Sequence, residues 1–130
     1  MYGFSGDMNK KESQSKSEQL CLAVVEGMQE NKAQDIVILD LRKVPNTVTD
    51  FFVICSGESS TQVDGISDAV TRFTRKELQE KPWHIEGKGK SEWVLIDYVS
   101  VVAHVFYKTA RGHYDLEDLW SDAELTRIPN

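Results

Sequence analysis

The sequence is poor in cysteine and in long apolar runs, and each shortage excludes a class of protein. Cys21 and Cys55 are its only cysteines, so a disulfide framework or a zinc ribbon built from cysteine pairs is excluded. The longest apolar stretches, such as 51–55, are far shorter than the roughly 20 residues that a membrane-spanning helix needs. These absences predict a cytoplasmic protein with two reduced thiols and no membrane contact.

Basic side chains are also in short supply. The chain has 15 lysines and arginines and 21 aspartates and glutamates, which gives a formal net charge of −6. Proteins whose main partner is a phosphate backbone cluster lysine and arginine, so this balance argues against nucleic acid as the principal partner. A basic protein partner is compatible with it, because fields of opposite sign steer encounter. With 40% hydrophobic residues over 130 positions, we expect one folded domain.

The two ends of the chain differ from its middle. Residues 1–12 are polar and have no apolar periodicity, which predicts a mobile arm. The first sixteen residues also lack the apolar core of a signal peptide, and they contain acids but no arginine, unlike a transit peptide. We therefore expect a mobile arm over 1–12, a single domain over 13–123 and a C-terminal tail over 124–130.

Hydrophobic spacing predicts the order helix, strand, strand, helix, strand, strand, strand, helix. Asn31 is a typical stop for the first helix, and Pro82 for the second. The second helix opens on a capping box, in which the hydroxyl of Ser59 and the side chain of Gln62 satisfy reciprocal backbone donors. This order implies an α/β (α+β) fold with a mixed five-stranded sheet flanked by helices. The predicted elements lie at 13–30, 35–41, 51–57, 59–81, 83–87, 92–98, 101–107 and 109–122.

The three histidines do not have the spacing of a metal site. A helical zinc site places two ligands at i and i+4, whereas His104 and His113 are nine positions apart, on a predicted strand and a predicted helix. His84 is distant in sequence, and the cysteines are unpaired. We expect no metal and no cofactor. We interpret His104 as an imidazole on a covered strand that is hydrogen-bonded to a neighbour.

Nucleophilic catalysis finds equally little support. Cys55 lies at the end of a buried strand, a position more typical of a small core residue than of a nucleophile. The segment "CSGESST" joins this strand to a helix start, where free amides and the helix dipole attract anions. The loop 56–61, from Ser56 to Thr61, is therefore the strongest candidate for phosphate chemistry.

Nucleotidyl transfer also needs two Mg²⁺-binding carboxylates, normally on alternate residues of one strand so that both point the same way. On "EWVLIDY" the residue two before Asp97 is Leu95, and on "VILDL" the residue two before Asp40 is Ile38. Neither strand carries the pair, and no Walker pattern is present. An ordinary capped helix is the favoured interpretation. A nucleotide-binding or nucleotidyltransferase-like enzyme using the loop 56–61 stays open as the alternative.

The tryptophan and tyrosine side chains, which carry an N–H or O–H group on an aromatic ring, have no catalytic role in these interpretations. Such residues are enriched at the centres of protein interfaces. We expect half of the six to lie in the core. The six are Trp83, Trp93, Tyr98, Tyr107, Tyr114 and Trp120. Strand alternation places Trp93, Leu95 and Asp97 on one face of "EWVLIDY", an amphipathic combination that suits a protein partner. The alternate set, which begins at Glu92 and is mostly apolar, should face the helices.

Five segments of the chain resemble the ribosomal silencing factor family, called RsfS in bacteria and Iojap in plant organelles. They cover roughly residues 15–123 in the family's order, and the last third is the most specific. The segments are "QDIVILDL", "TDFFVICSGESSTQVDGISDAV", "HIEGKGKSEWVLIDY", "VVAHVFY" and "ARGHYDLEDLWSDA". The residues of the last third that fall on the family pattern are Glu86, Trp93, Asp97, His104, Arg111, Tyr114, Leu116, Glu117 and Trp120.

The resemblance implies a nucleotidyltransferase-like α/β fold that has lost its catalytic carboxylates, and hence no enzyme activity. It also implies that the chain binds large-subunit ribosomal protein fourteen at the subunit-joining face. Family members there block association with the small subunit sterically and so damp translation when nutrients are scarce. The expected partner is the large ribosomal subunit, with minor contact to ribosomal RNA if any, and a homodimer stays open.

Under this resemblance, "HVFYKTARGHYDLEDLW" ends a core strand and forms a packing helix. The residues expected to serve the fold are His104, Leu116, Leu119 and Trp120. The residues expected to bind the partner are Trp93, Leu95, Asp97, Tyr107, Arg111 and Tyr114. The last three of these flank the surface that the first three form.

One position departs from the family pattern. Between the last two predicted strands the family usually carries Gly-Asp, and this chain has Val99 and Ser100. A β-branched valine resists positive φ, so we do not expect a two-residue primed turn there. The connection should instead be bulged or one residue longer.

Overall fold

The structure is a computed structural model that describes residues 15–89, 92–112 and 115–129. Its elements are α1 (Lys16–Glu30), β1 (Gln34–Asp40), β2 (Phe51–Gly57), α2 (Ser60–Leu78), β3 (His84–Glu86), β4 (Trp93–Asp97), β5 (Val101–Tyr107), α3 (Lys108–Arg111), α4 (Leu116–Leu119) and β6 (Glu124–Arg127). The strands form one sheet in the order β3-β4-β5-β2-β1-β6. Strands β2 and β5 are parallel neighbours, and the other neighbouring pairs are antiparallel. The predicted mixed sheet is confirmed.

Helix α1 begins and ends at the residues that its sequence favours. The hydroxyl of Ser15 accepts a hydrogen bond from the backbone of Glu18, and the Glu18 carboxylate accepts one from the backbone of Ser15. This reciprocal pair is a capping box, which satisfies two backbone donors that the helix itself cannot. Asn31 is the C-cap, as predicted.

Helix α2 starts after Ser59, as predicted, but its cap differs in detail. The hydroxyl of Ser59 accepts from the backbone of Gln62 at 3.1 Å. The side-chain oxygen of Gln62 accepts from the backbone of Glu58 at 2.6 Å, not from that of Ser59, so the reciprocal half of the predicted capping box was wrong. The same Gln62 side chain donates to the carbonyl of Asn31 at 3.1 Å, and this second bond draws it away from the cap residue.

Helices α1 and α2 pack against each other on one face of the sheet, here called the helix face. A Cβ at Gly27 would lie 2.8 Å from the Cα of Val70, so only glycine allows the two helices to approach this closely. Side chains of both helices and of the sheet form one buried cluster between the layers. Cys55 belongs to this cluster, which confirms it as a core residue.

A second, smaller cluster lies on the opposite side of the sheet, here called the second face. It has no long helix over it. Its buried members are Val37, Leu39, Leu41, Ile54, Phe106 and Ala110, and its partly buried members are Val44, Phe52, Trp93, Leu116, Trp120 and Ala123. The last three come from the segment around α4, which therefore covers part of this face.

The predicted tail over 124–130 is wrong, and the sheet has six strands rather than five. Glu124–Arg127 forms β6 and pairs antiparallel with β1 at the sheet edge. Ile128, directly after it, is only 5% exposed and joins the core of the helix face. The segment "ELTR" is short and mostly polar, as edge strands often are, and so gives little hydrophobic signal.

The predicted single helix over 109–122 is also wrong. Two single-turn helices, α3 and α4, take its place. Gly112 is the C-cap of α3, and the side chain of Asp115 accepts from the backbone of Asp118 to begin α4. Glycine weakens a helix interior and aspartate favours an N-cap, so both residues act against one continuous helix.

The connection between β4 and β5 is tighter than predicted. The backbone of Tyr98 donates to the carbonyl of Val101 at 2.8 Å, which leaves Val99 and Ser100 as a two-residue loop. Val99 adopts a φ of 74°, so the prediction that valine would prevent such a turn was wrong. The carboxylate of Asp97 accepts from the backbone of Val99 at 2.7 Å and thereby helps to hold the valine in this conformation.

Replacing Val99 by glycine is expected to raise the free energy of unfolding by about 0.5 to 1 kcal/mol. A positive φ costs a residue with a Cβ roughly 1–2 kcal/mol, and the greater freedom of glycine in the unfolded chain cancels part of that gain. Val99 is 53% exposed, so little packing is lost. Urea unfolding of Val99→Gly beside Ser100→Gly measures the effect, and a midpoint that falls in both variants would contradict strain at Val99.

Candidate functional site

Strand β4 divides its side chains between the two faces as the sequence predicted. Val94 and Ile96 are fully buried in the cluster of the helix face. Trp93, Leu95 and Asp97 are half-buried on the second face. These three side chains lie beside the part of that face that the α4 segment covers.

Trp93 is held in a fixed position by β5. Its indole Nε1 donates to Nδ1 of His104 at 3.1 Å. Its ring stacks on Phe106, with centroids 5.0 Å apart and planes 25° from parallel. An indole that a hydrogen bond and ring contacts hold in place loses little freedom when a partner covers it, which favours tight binding.

His104 is 4% exposed and lies between aromatic rings, with the Phe52 ring edge-on at 4.7 Å. Because Nδ1 accepts the hydrogen bond from Trp93, the neutral ring carries its own proton on Nε2. In the described part of the chain that Nε2 is buried without a hydrogen-bond partner. Burial lowers the pKa of His104 to about 4. The interpretation of His104 as a hydrogen-bonded core imidazole is confirmed.

The α4 segment covers the middle of the second face. Trp120 packs edge-on against Phe52, with ring centroids 5.7 Å apart. Leu116 also packs against this cluster, so the expected fold role of these two residues is confirmed. Leu119 is 73% exposed, so its expected role in the fold was wrong, because α4 is a single turn and does not bring it onto the sheet.

Arg111 ties the α4 segment to the ends of β1 and β2. Its Nη1 donates to the carbonyl of Asp35 at 2.6 Å and to the hydroxyl of Ser56 at 2.9 Å. Its Nη2 donates to the carboxylate of Glu117 on α4 at 2.9 Å, and both side chains of that pair are mostly buried. Arg111 therefore positions the segment that borders the candidate site, and its guanidinium is engaged within the fold.

The other two predicted flanking residues lie apart from Trp93 or outside the structure. Tyr107 packs against the cluster of the helix face, so the structure does not bring it beside Trp93. Tyr114 lies outside the described residues.

Strand β3 adds two side chains that the sequence prediction missed. In the antiparallel register His84 pairs with Asp97 and Glu86 pairs with Leu95, so both lie on the second face beside β4. Both are exposed, and Nε2 of His84 lies 2.9 Å from the Glu86 carboxylate. The alternation in "HIE" is the signal that could have found them. We call the surface formed by His84, Glu86, Trp93, Leu95 and Asp97 the docking patch.

The loop 56–61 does not form a phosphate cradle. The backbone amides of Gln62 and Glu58 are occupied by Ser59 and Gln62 side-chain oxygens. The hydrogen bond from Lys108, at 2.9 Å, holds the pKa of Glu58 below its usual range, so Glu58 stands at the loop as a carboxylate paired with the Lys108 ammonium. Burial raises the pKa of the Cys55 thiol to about 12, which leaves it no nucleophilic character near pH 7.

Two further site types find no support in the part of the chain that the structure describes. There, no group of three or more histidine, cysteine, aspartate or glutamate side chains is arranged to hold a metal ion. Within the same residues, no helix has the length and apolarity required to cross a bilayer.

Comparison with known proteins gives a consistent result. Residues 14–130 match the sequence model of a family described as "Ribosomal silencing factor during starvation". Ribosomal silencing factor RsfS of Halalkalibacterium halodurans is 36% identical over 86% of this chain and 94% of that protein. Mouse "Mitochondrial assembly of ribosomal large subunit protein 1" is 30% identical over 78% of this chain and 46% of that protein. A crystal structure of a Chromobacterium violaceum protein matches with a TM-score of 0.76 and 29% identity, over 82% of this chain and 88% of that one.

The fold and its second face define a mixed α/β domain that presents a half-buried aromatic and acidic surface, without an assembled catalytic centre in the described residues. The family match extends over all of these residues. The chain belongs to the ribosomal silencing factor (RsfS) family, as its sequence motifs predicted.

Proposed function

We propose that this chain is a non-enzymatic repressor of translation. It binds the large ribosomal subunit through large-subunit ribosomal protein fourteen and sterically blocks joining of the small subunit when nutrients are limited. The observation that carries this proposal is the docking patch, in which Trp93 is half-buried and held by His104 and Phe106. The family's description and the name of the mouse relative support a ribosomal role and a large-subunit partner.

The chemistry of the docking patch suits a basic protein. Trp93 and Leu95 supply apolar area near its centre, and Asp97 and Glu86 place carboxylates at its border. A polar rim around a tryptophan anchor is the usual anatomy of a protein interface. One oxygen of Asp97 accepts from the backbone of Val99, so this carboxylate is fixed in place. The net charge of −6 would speed encounter with a positively charged ribosomal protein.

Sedimentation of a cell lysate tests the proposal directly. We expect the protein to travel with free large subunits and to be scarce on joined ribosomes, because a factor that blocks joining cannot occupy the joined state. Adding the purified protein to separated subunits should lower the yield of joined ribosomes, and Leu95→Asp should abolish the effect. Recovery of the protein only at the top of the gradient, at both low and moderate salt, would refute the proposal.

A nucleotide-dependent enzyme is the alternative, and we expect it to fail a titration. Two of the backbone amides that would hold phosphates at the loop 56–61 already donate to side-chain oxygens within the protein. ATP or CTP with Mg²⁺ should therefore give no saturable change in tryptophan fluorescence below about 100 μM, a range in which cellular nucleotide would fill a real site. Saturation in that range would favour the enzyme.

A further inference from the structure

A groove lies on the other side of strand β3 from the docking patch, between β3 and the C-terminal half of α2. It is open to solvent and has a volume of about 440 Å³. Its lining residues are Thr71, Arg72, Arg75, Lys81, Pro82 and Ile85. Three of these six are cations and none is an acid, although acids outnumber bases by 21 to 15 in the whole chain. We call this concavity the basic groove.

Within the described residues, the cations of the basic groove have no close acid partner, a condition that they share with exposed lysines elsewhere such as Lys16 and Lys43. Arg111, for comparison, contacts a carboxylate at 2.9 Å. Across the described residues, Arg75 and Lys81 form no ion pair, and Arg72 reaches Glu30 only at 3.9 Å. The side chains of that pair are 66% and 50% exposed, so the contact is weak and easily exchanged. The groove thus keeps positive charge available for an anionic ligand.

Stabilisation of the α2 dipole explains only part of this arrangement. Cations in the last turn of a helix interact favourably with its C-terminal end, and Arg75 and Lys76 lie there. Lys81 lies beyond the C-cap, Gln79, and Arg72 lies before the last turn, yet both line the groove. Cations that converge on one concavity from a helix and from the following loop fit an extended, multiply charged anion.

We propose that the basic groove binds the phosphate backbone of a single-stranded RNA segment, as a second contact with the large subunit. The ribosomal setting rests on the proposed function, whereas the binding chemistry rests on the groove alone. Trp83 is not part of the groove lining: it follows the lining residue Pro82, is 75% exposed, and its ring centroid lies 5.7 Å from that of His84. Single-strand binding surfaces combine a positive groove with exposed aromatic rings on which bases stack. Trp83 would accept a base while Arg72, Arg75 and Lys81 contact successive phosphates.

The test is binding of a fluorescein-labelled 12-nucleotide oligouridylate over a series of salt concentrations. The groove variant carries Arg72→Gln, Arg75→Gln and Lys81→Gln. A matched control carries Lys16→Gln, Lys32→Gln and Lys43→Gln, which remove the same charge from exposed positions elsewhere. All six side chains are exposed, so both variants should fold, and circular dichroism checks this.

The groove variant should bind the oligonucleotide about tenfold or more weakly at low salt, and its salt dependence should flatten by about two units of slope. Each lost phosphate contact on a single strand removes roughly 0.7 unit. The control variant should stay close to wild type. Trp83→Ala should lose about fivefold or more in affinity with little change of slope, because stacking is not ionic. Equal affinities and slopes for the groove and control variants would overturn the proposal.

Two further measurements separate this inference from the proposed function. Binding to isolated ribosomal protein fourteen should be unchanged in the groove variant and lost in Leu95→Asp, because the two surfaces lie on opposite sides of β3. Binding to whole large subunits should weaken in both. Oligonucleotide binding without any large-subunit binding would refute the proposed function alone. Large-subunit binding that is indifferent to the groove variant would refute its ribosomal role.

Discussion

Truncation of Trp93 to alanine is expected to weaken binding to the large ribosomal subunit by about thirtyfold or more. A tryptophan at the centre of a protein interface contributes about 2 kcal/mol or more when it is removed. The same change should lower the free energy of unfolding by about 2 to 3 kcal/mol. The Trp93 ring stacks on Phe106 and hydrogen-bonds to His104. Truncating a fully buried tryptophan to alanine lowers the free energy of unfolding by about 3–5 kcal/mol. Because Trp93 is only half-buried, the loss of stability on its truncation should lie below that range.

Two variants on the same strand separate these effects. Val94→Ala removes a fully buried side chain on the helix face, so it should cost about 2 kcal/mol of stability and leave the affinity of the folded protein unchanged. Leu95→Asp places a charge on the half-buried second face, and Leu95 is a member of neither buried cluster. It should abolish binding at a small cost in stability. Wild-type affinity for Trp93→Ala in its folded form would remove Trp93 from the docking patch.

The strands at the centre of the sheet could be predicted closely. They are buried on both faces, and such strands have continuous apolar sequences. The stretch "FFVICSG" became Phe51–Gly57 without a shift of either end. The secondary structure of the C-terminal region could not be predicted in this way, because it depends on tertiary contacts. β6 is polar and short, and it is defined by pairing with β1. The turns α3 and α4 are joined to the sheet by Arg111, whose three partners lie between 6 and 76 positions away in sequence.

The candidate site was predictable only in part, for a similar reason. Trp93, Leu95 and Asp97 could be placed on one face from the sequence, because side chains alternate along a strand whatever its neighbours are. The contribution of His84 and Glu86 depends on the register of β3 against β4, which alternation does not give. Composition also gave no sign of the basic groove, because a net charge of −6 is a sum over the whole chain and does not report a local cluster of cations.

His104 makes the fold sensitive to mild acid. Its folded pKa is about 4, against 6.5 for an unperturbed histidine, and the cause is desolvation by burial. The rings around it, Trp93, Phe52 and Phe106, carry no charge that could compensate a proton. Protonation would also place a hydrogen on Nδ1, which now accepts from Trp93, so the bond that fixes the indole would be lost.

The free energy of unfolding is therefore expected to fall by about 3 kcal/mol between pH 6.5 and pH 4 through His104 alone. In this window the unfolded chain takes up a proton that the folded chain refuses, so stability decreases as pH decreases. A separation of about 2.5 pKa units at about 1.4 kcal/mol each gives the magnitude. His104→Leu should remove this loss. Urea unfolding of both proteins from pH 7 to pH 4 measures the difference, in which carboxylates titrating in both proteins cancel. Parallel stability profiles would show that His104 is not buried in its neutral form.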